Sequence, residues 1–300
     1  MIEKSVLVKT LEEVAPPYLA AEWDNDGMQI EPSGDNVNRI LIALEITPDV
    51  VMEAKQGGFD FIIVHHPLYS GGGGGGGSAA AGKRNILQND PAGRFTWQLL
   101  ATPPSPVGVY AAHTSFDAAE GGLGDELRRQ IGLTPWDDRI HPDIEAEFSH
   151  IIPFTRVGRF SEATDLAGAY AKVRAKLGIG SDIRVAGNPA RHVLKIMTVC
   201  GGGGDAIPLA VRTGCSLLIT GDIRQHEWRL AEAEGLALID AGHYNTERPF
   251  AGLMKQRLRD ALGYAQADVT INISADIRQP YAYPAQPDIS EIIRAMKDNK

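Results

Sequence analysis

Phe59, Asp60, Phe61, Ile62, Ile63, Val64, His65, His66 and Pro67 form the stretch that most narrows what this chain can fold into. A short apolar run rich in β-branched residues reads as a buried strand. It stops abruptly at two histidines and a proline. Ligands in α/β proteins bind where the carboxyl ends of strands open into loops. Side chains alternate along a strand, so two neighbours share one site only if the backbone turns between them. Pro67 favours that turn, because it cannot donate to a sheet ladder and it restricts the residue before it. Paired imidazoles at a rigid strand end suit a transition metal. The competing reading is one histidine bonded in the core and one in solvent.

The chain is long enough, at 300 residues, for about two domains. Its net charge of −9 argues against broad electrostatic binding to nucleic acid or anionic lipid. No apolar run approaches the roughly 18 residues of a transmembrane helix. The first residues lack the basic-then-apolar layout of a signal peptide. Cys200 and Cys215 are too few for a disulfide scaffold or a thiolate zinc site, so a reducing cytoplasm is the expected compartment.

Residues 5–20 have helical spacing up to Pro16 and Pro17. Residues 22–29 read as a helix-to-strand connection packed by Trp23, with Asp24, Asn25 and Asp26 as weaker site candidates. A strand over 39–45 leads to Thr47 as an N-cap and Pro48 as the first helical residue. Gly57 and Gly58 stop that helix, and the histidine strand follows. This β-α-β order predicts two parallel strands joined by a right-handed crossover. The glycine-rich stretch 71–82, seven glycines from Gly71 to Gly77 and then Ser78 to Gly82, reads as a mobile loop, because ordering glycine costs more backbone entropy than any other residue. A helix is expected over 83–100.

A further strand is predicted over 106–117. If it stays extended, His113, Ser115 and Asp117 share one face. The composition shifts over 134–150, and a second α/β unit begins near Ile151. The predicted domains are 1–132 plus 243–300, and 133–242. In the second, the strand over 193–199 runs into Gly201, Gly202, Gly203 and Gly204, a turn that lacks the P-loop's Lys-Ser/Thr pair. Strands over 216–220 and 236–240 follow. If a helix starts near His243, then His243 and Glu247 lie on one of its faces. That helix is predicted to run on to about Leu262. A last strand over 268–274 and a short amphipathic terminal helix complete the pattern.

Three segments therefore carry metal-ligand residues at strand ends or helix starts: His65 with His66, Asp117 near His113, and His243 with Glu247. Carboxylates that bridge two ions while imidazoles cap each one give the layout of two-metal hydrolytic sites. Two divalent ions outweigh two carboxylates by a charge of about two, which favours an anionic substrate and a hydroxide nucleophile near neutral pH.

The segments Trp23-Asp24-Asn25-Asp26-Gly27, His65-His66-Pro67, His113-Thr114-Ser115-Phe116-Asp117, Thr220-Gly221-Asp222 and Gly242-His243-Tyr244-Asn245-Thr246-Glu247 occur in the order seen in the Nif-three-like family, which the chain resembles from about residue 5 to 260. Members of that family are labelled GTP cyclohydrolase 1 type 2 or dinuclear-metal-centre proteins. The resemblance implies two similar α/β domains with mixed sheets, a metal pair in the cleft between them, and a ring-shaped homohexamer. It implies His65, His66, Asp117, His243 and Glu247 as ligands of two divalent ions (zinc, manganese, iron or nickel). His113, Asp222 and His226 would be nearby groups for proton transfer or ligand orientation. The implied activity is hydrolysis of a small phosphorylated or cyclic-amide compound, nucleotides included. The alternative is a non-enzymatic metal-binding or adaptor protein, a metallochaperone or the partner of a transcription-related factor. The glycine run, Glu45 in place of an aspartate, and the tail beyond about 265 depart from the family pattern.

Overall fold

Two mixed sheets organise the chain. The computed structural model describes residues 1–68, 107–137, 139–180, 183–263 and 268–279. The glycine run, the helix expected over 83–100 and the terminal helix lie outside the described residues. In the first sheet stand β1 (Gly27–Ile30), β2 (Arg39–Ala43), β3 (Phe61–Val64), β4 (Gly108–Ala111) and, from far along the chain, β11 (Thr270–Ile273). Their order is β11-β2-β3-β4-β1, parallel except for β1 against β4. The second sheet holds β5 (Thr134–Pro135), β6 (Thr155–Arg159), β7 (Arg184–Ala186), β8 (Ile196–Gly202), β9 (Leu217–Gly221) and β10 (Ala237–Asp240), in the order β7-β10-β9-β8-β6-β5. Its centre, β8-β9-β10, is parallel and its margins are antiparallel.

The histidine strand is central in its sheet: Ile62 stands opposite Leu41 on one side and Val109 on the other. All four residues of β3 are buried, as a continuous apolar run in a strand covered on both faces requires. The crossover from β2 to β3 runs through the helix Pro48–Gln56, and Thr47 caps it, its Oγ1 accepting from the Val50 amide at 3.1 Å. Val50, Val51 and Ala54 face inward from that helix.

One apolar core joins the sheets, with Ile42, Phe61 and Phe116 from one half and Ile196, Ile219 and Ile239 from the other. The helix Phe250–Leu262 inserts Phe250 into it, 5.5 Å from the Phe116 ring and 4.9 Å from the His65 ring. Each such fully buried side chain stabilises the fold by roughly 1.5–3 kcal/mol. The back wall of the candidate site is therefore rigid packing.

Several expectations need correcting. The first helix ends at Val14, and Pro17–Leu19 forms a separate 3-10 turn. The single helix predicted from His243 onward is two, His243–Glu247 and Phe250–Leu262, with Pro249 at the start of the second. Most consequential, the strand expected through Asp117 stops at Ala111, and Thr114–Ala118 is a helix. Residue 113 thus approaches residue 117 by helical spacing, with the Asp117 amide donating to the His113 carbonyl at 3.1 Å.

Candidate metal centre

The His65-His66-Pro67 corner, the turn after β4 and the helix His243–Glu247 meet at one point. His65 is fully buried. Its Nδ1 lies 3.0 Å from the Ala112 carbonyl oxygen, which can only accept, so Nδ1 carries the proton. In the neutral ring Nε2 is then a lone pair, 3.5 Å from Glu247 Oε1 and 3.7 Å from Asp117 Oδ1. His66 Nε2 lies 2.9 Å from Glu247 Oε2 and 3.3 Å from His243 Nε2. His243 Nε2 is itself 2.9 Å from Glu247 Oε2, and its Nδ1 is 2.7 Å from Asp222. In each of two groups, His65/His66/His113 and His66/His243/Glu247, one donor atom per residue lies within 4.8 Å of the others. The histidine corner and Glu247 are therefore in direct contact.

Two buried donor atoms in this cluster, His65 Nε2 and Asp117 Oδ1, have no hydrogen-bond partner. Buried polar atoms are almost always satisfied, so an orphaned pair at a convergence of imidazoles and carboxylates fits a cation. Imidazole nitrogen and carboxylate oxygen are the donors that zinc, manganese, iron and nickel accept. Without a cation, protons compensate. Burial pulls His65 down, but the Asp117 and Glu247 carboxylates outweigh it and hold the ring up at about 9. Burial likewise opposes His243, and hydrogen bonding to Glu247 and Asp222 raises it to about 9. Burial, with the positive rings of His65 and His243, pushes His66 down despite the Glu247 hydrogen bond. Burial and the Glu247 charge push Asp117 up to about 6. Burial opposes Glu247, yet the surrounding histidines hold its carboxylate well below the usual range.

Local sequence explains how these groups are held. Gly201 lies within the irregularity between Thr198 and Gly202 of β8 and has φ +60°; a Cβ there would lie 2.3 Å from Glu247 Oε1. Its amide donates to Thr246 Oγ1 at 2.9 Å, which ties the strand to the Glu247 helix. Asp222 has φ 53°, a left-handed conformation unusual outside glycine, and it presents its carboxylate to His243. Fixing the distal nitrogen of an imidazole in this way is how outer residues orient metal ligands.

The helix Thr114–Ala118 owes its start to residues ninety positions earlier. Asp24 accepts from the Thr114 amide at 3.1 Å and from its hydroxyl, and Asp26 accepts from the Ser115 amide at 2.9 Å. These carboxylates satisfy amides that a helix N-terminus leaves orphaned. Asp24 also lies 2.9 Å from His113 Nδ1 through both oxygens. That fixes the His113 ring 5.0 Å from the His65 ring and 5.7 Å from the His66 ring, centre to centre. Burial opposes ionisation of Asp24, but His113 and Thr114 outweigh it and lower the carboxyl to about 2. Its stabilising effect is therefore full above about pH 4 and lost as pH falls toward 2. Asp24→Asn should cost about 2 kcal/mol near neutral pH. In thermal unfolding of the chelated protein, the gap from the native chain should close as pH drops through that range.

Asp222, His113 and all five expected ligands thus lie in one connected cluster. His226 does not join it: its side chain is 74 % exposed on the helix Gln225–Ala233, with Glu227 at 3.9 Å. Trp23 is not a packed anchor either, being 57 % exposed. Sequence reasoning underrated Asp24 and Asp26 and missed Gly201 and Thr246. For the aspartates, the cue was a cluster of cap-forming acids with no helix directly after it.

A profile of the DUF34/NIF3 family (NGG1p interacting factor 3) matches residues 2–280. The chain is 28 % identical to a GTP cyclohydrolase 1 type 2 homolog of Clostridium perfringens over 280 residues, covering 92 % of this chain and 98 % of the relative. It is 31 % identical to the homolog of the same name from Lactococcus lactis over 251 residues, covering 83 % and 88 %. The crystal structure of a Bacillus cereus protein related to NIF3 superposes with a TM-score of 0.76 at 20 % identity, covering 94 % of this chain and 99 % of that one, and so shares its fold. The match extends past residue 260 to take in β11, which is built into the first sheet. The chain belongs to the DUF34/NIF3 family.

Proposed function

We propose that this chain is a dinuclear metal-dependent hydrolase of a small phosphorylated or cyclic-amide compound, nucleotides included. The observation that carries the reading is the convergence of His65, His66, Asp117, His243 and Glu247, with two buried donor atoms left unpaired. These five would hold divalent ions of the zinc, manganese, iron or nickel class, two per chain, with Asp117 and Glu247 as the anionic donors. Ions in such a site act as Lewis acids and bring the pKa of water toward 7. The side chains do the rest. His65 and His243 are locked through Nδ1 by Ala112 and Asp222. His113, its Nδ1 engaged by Asp24, keeps Nε2 free to take or give a proton at the substrate. The relatives' name, GTP cyclohydrolase 1 type 2 homolog, supports hydrolytic ring opening as the reaction class.

The family description favours a second reading. A partner-binding protein, as "interacting factor" suggests, would load metal and turn over nothing. Protein purified without added metal should carry close to two ions per chain by elemental analysis, in an assembly of six chains by light scattering. Phosphoester, nucleotide and amide panels should then yield a product that disappears on chelation. Full metal loading with no product across all three panels would favour the adaptor.

A further inference from the structure

The cavity over the cluster is about 620 Å³, and its chemistry is lopsided. His113, Asp117, His243 and Glu247 border its ionic part. Elsewhere its lining is largely apolar, with Ile151, Pro153 and Phe154 contributed by the second half of the chain. Two large aromatics of the first half also line it while standing in solvent: Tyr18 is 84 % exposed and Trp23 57 %. Exposed aromatic faces gathered on one cavity suit a flat apolar partner that covers them.

Charge completes the picture. Among the described residues that line this cavity there is no lysine or arginine; away from the cluster it carries the carboxylates of Glu22 and Asp205 and the imidazole of His150. Polyphosphate chains are ordinarily met by arginine, lysine or a glycine-rich backbone cradle. Two positions of the glycine-rich turn beside this cavity are already taken up. The Gly201 amide is bonded to Thr246, and the Glu227 carboxylate fills the space beside Gly204, 2.2 Å from where a Cβ would stand.

We infer that this cavity takes a substrate with a flat, ring-bearing body and at most one anionic group, and that it discriminates against polyphosphates. The inference rests on the metal-centre reading in one respect, since the single anionic group needs the cations for its charge partner. The ring-binding part stands on Trp23, Tyr18 and the apolar wall.

Calorimetric titration of metal-loaded protein with guanosine, its 5′-monophosphate and its 5′-triphosphate tests it. The monophosphate should bind about tenfold more tightly than the triphosphate, and the gap should narrow as added salt screens Glu22 and Asp205. Trp23→Ala should weaken guanosine and its monophosphate by about tenfold, the scale of one stacked ring, and leave inorganic phosphate binding unchanged. Glu22→Lys combined with Asp205→Lys should close the gap between mono- and triphosphate. The inference is overturned if the triphosphate is the tightest ligand of the native chain, if Trp23→Ala leaves every ring-bearing ligand unaffected, or if no ring-bearing ligand binds. Guanosine is also titrated against chelated protein, where Trp23-dependent binding is still expected. Elemental analysis of each sample separates the two readings: a chain that holds no cation refutes the metal centre, while Trp23-dependent ring binding still supports the cavity's selectivity.

Discussion

Glu247→Gln is expected to lose metal affinity by at least about 100-fold and to destabilise the chelated protein by about 3–5 kcal/mol. Glu247 is 2 % exposed, and three imidazoles point at it, at 3.5, 2.9 and 2.9 Å. The amide keeps the shape but removes the only negative charge all three histidines share. In the chelated protein the positive rings of His65 and His243 then repel one another in a buried space. In the loaded protein the central anionic donor is gone. Asp222→Asn touches the cluster only through His243 Nδ1, so it should cost about 10–100-fold in affinity and little stability. Chelator competition gives the affinities and thermal unfolding the stabilities. Native metal content in Glu247→Gln would sink the proposed centre.

The second large effect is on pH. His65 is held at about 9 in the folded chain, against 6.5 for an ordinary histidine. A raised pKa contributes stability that is complete below about pH 6.5 and is lost as pH rises through 9. For a ring with no solvent exposure the span corresponds to about 3 kcal/mol. The chelated protein should therefore lose melting temperature steadily between pH 6.5 and 9. Metal-loaded protein should not, because the ion replaces the proton. The same exchange predicts proton release on loading, and apparent metal affinity that rises by up to about tenfold per pH unit for each proton displaced. Calorimetry in two buffers of different ionisation enthalpy reads the proton count directly. Loading without proton release would show that His65 and His243 were neutral beforehand.

The strand, the two histidines and the proline of the 59–67 stretch could be read directly, because a buried parallel strand writes its burial into consecutive residues. The Thr47 cap and the His243–Glu247 pair were equally local and equally readable. What could not be read was anything fixed by distant partners. Residues 113–117 read as the continuation of the strand before them, yet they turn into a helix because Asp24 and Asp26 arrive to cap it. No window around residue 115 contains that information. Trp23 looked like an anchor because large aromatics usually are; its exposure follows from its place on the cavity. His226 sits four residues beyond Asp222, but its helix turns it to solvent. The glycine at 201 looked like one more turn residue, and only the nearness of Glu247 shows why a side chain there would collide.

The ligand set is also an ordering of events in time. His66 and Glu247 touch across 181 positions of chain, so no nascent segment shorter than that can form the contact. A ribosome-bound fragment ending before His243 carries His65, His66, His113 and Asp117 but lacks His243 and the Glu247 carboxylate that three imidazoles share. Long-range closure of this kind is slow compared with helix or hairpin formation. The proposed five-residue centre would thereby be complete only once both sheets are in place, so the full ligand set would report that folding is finished.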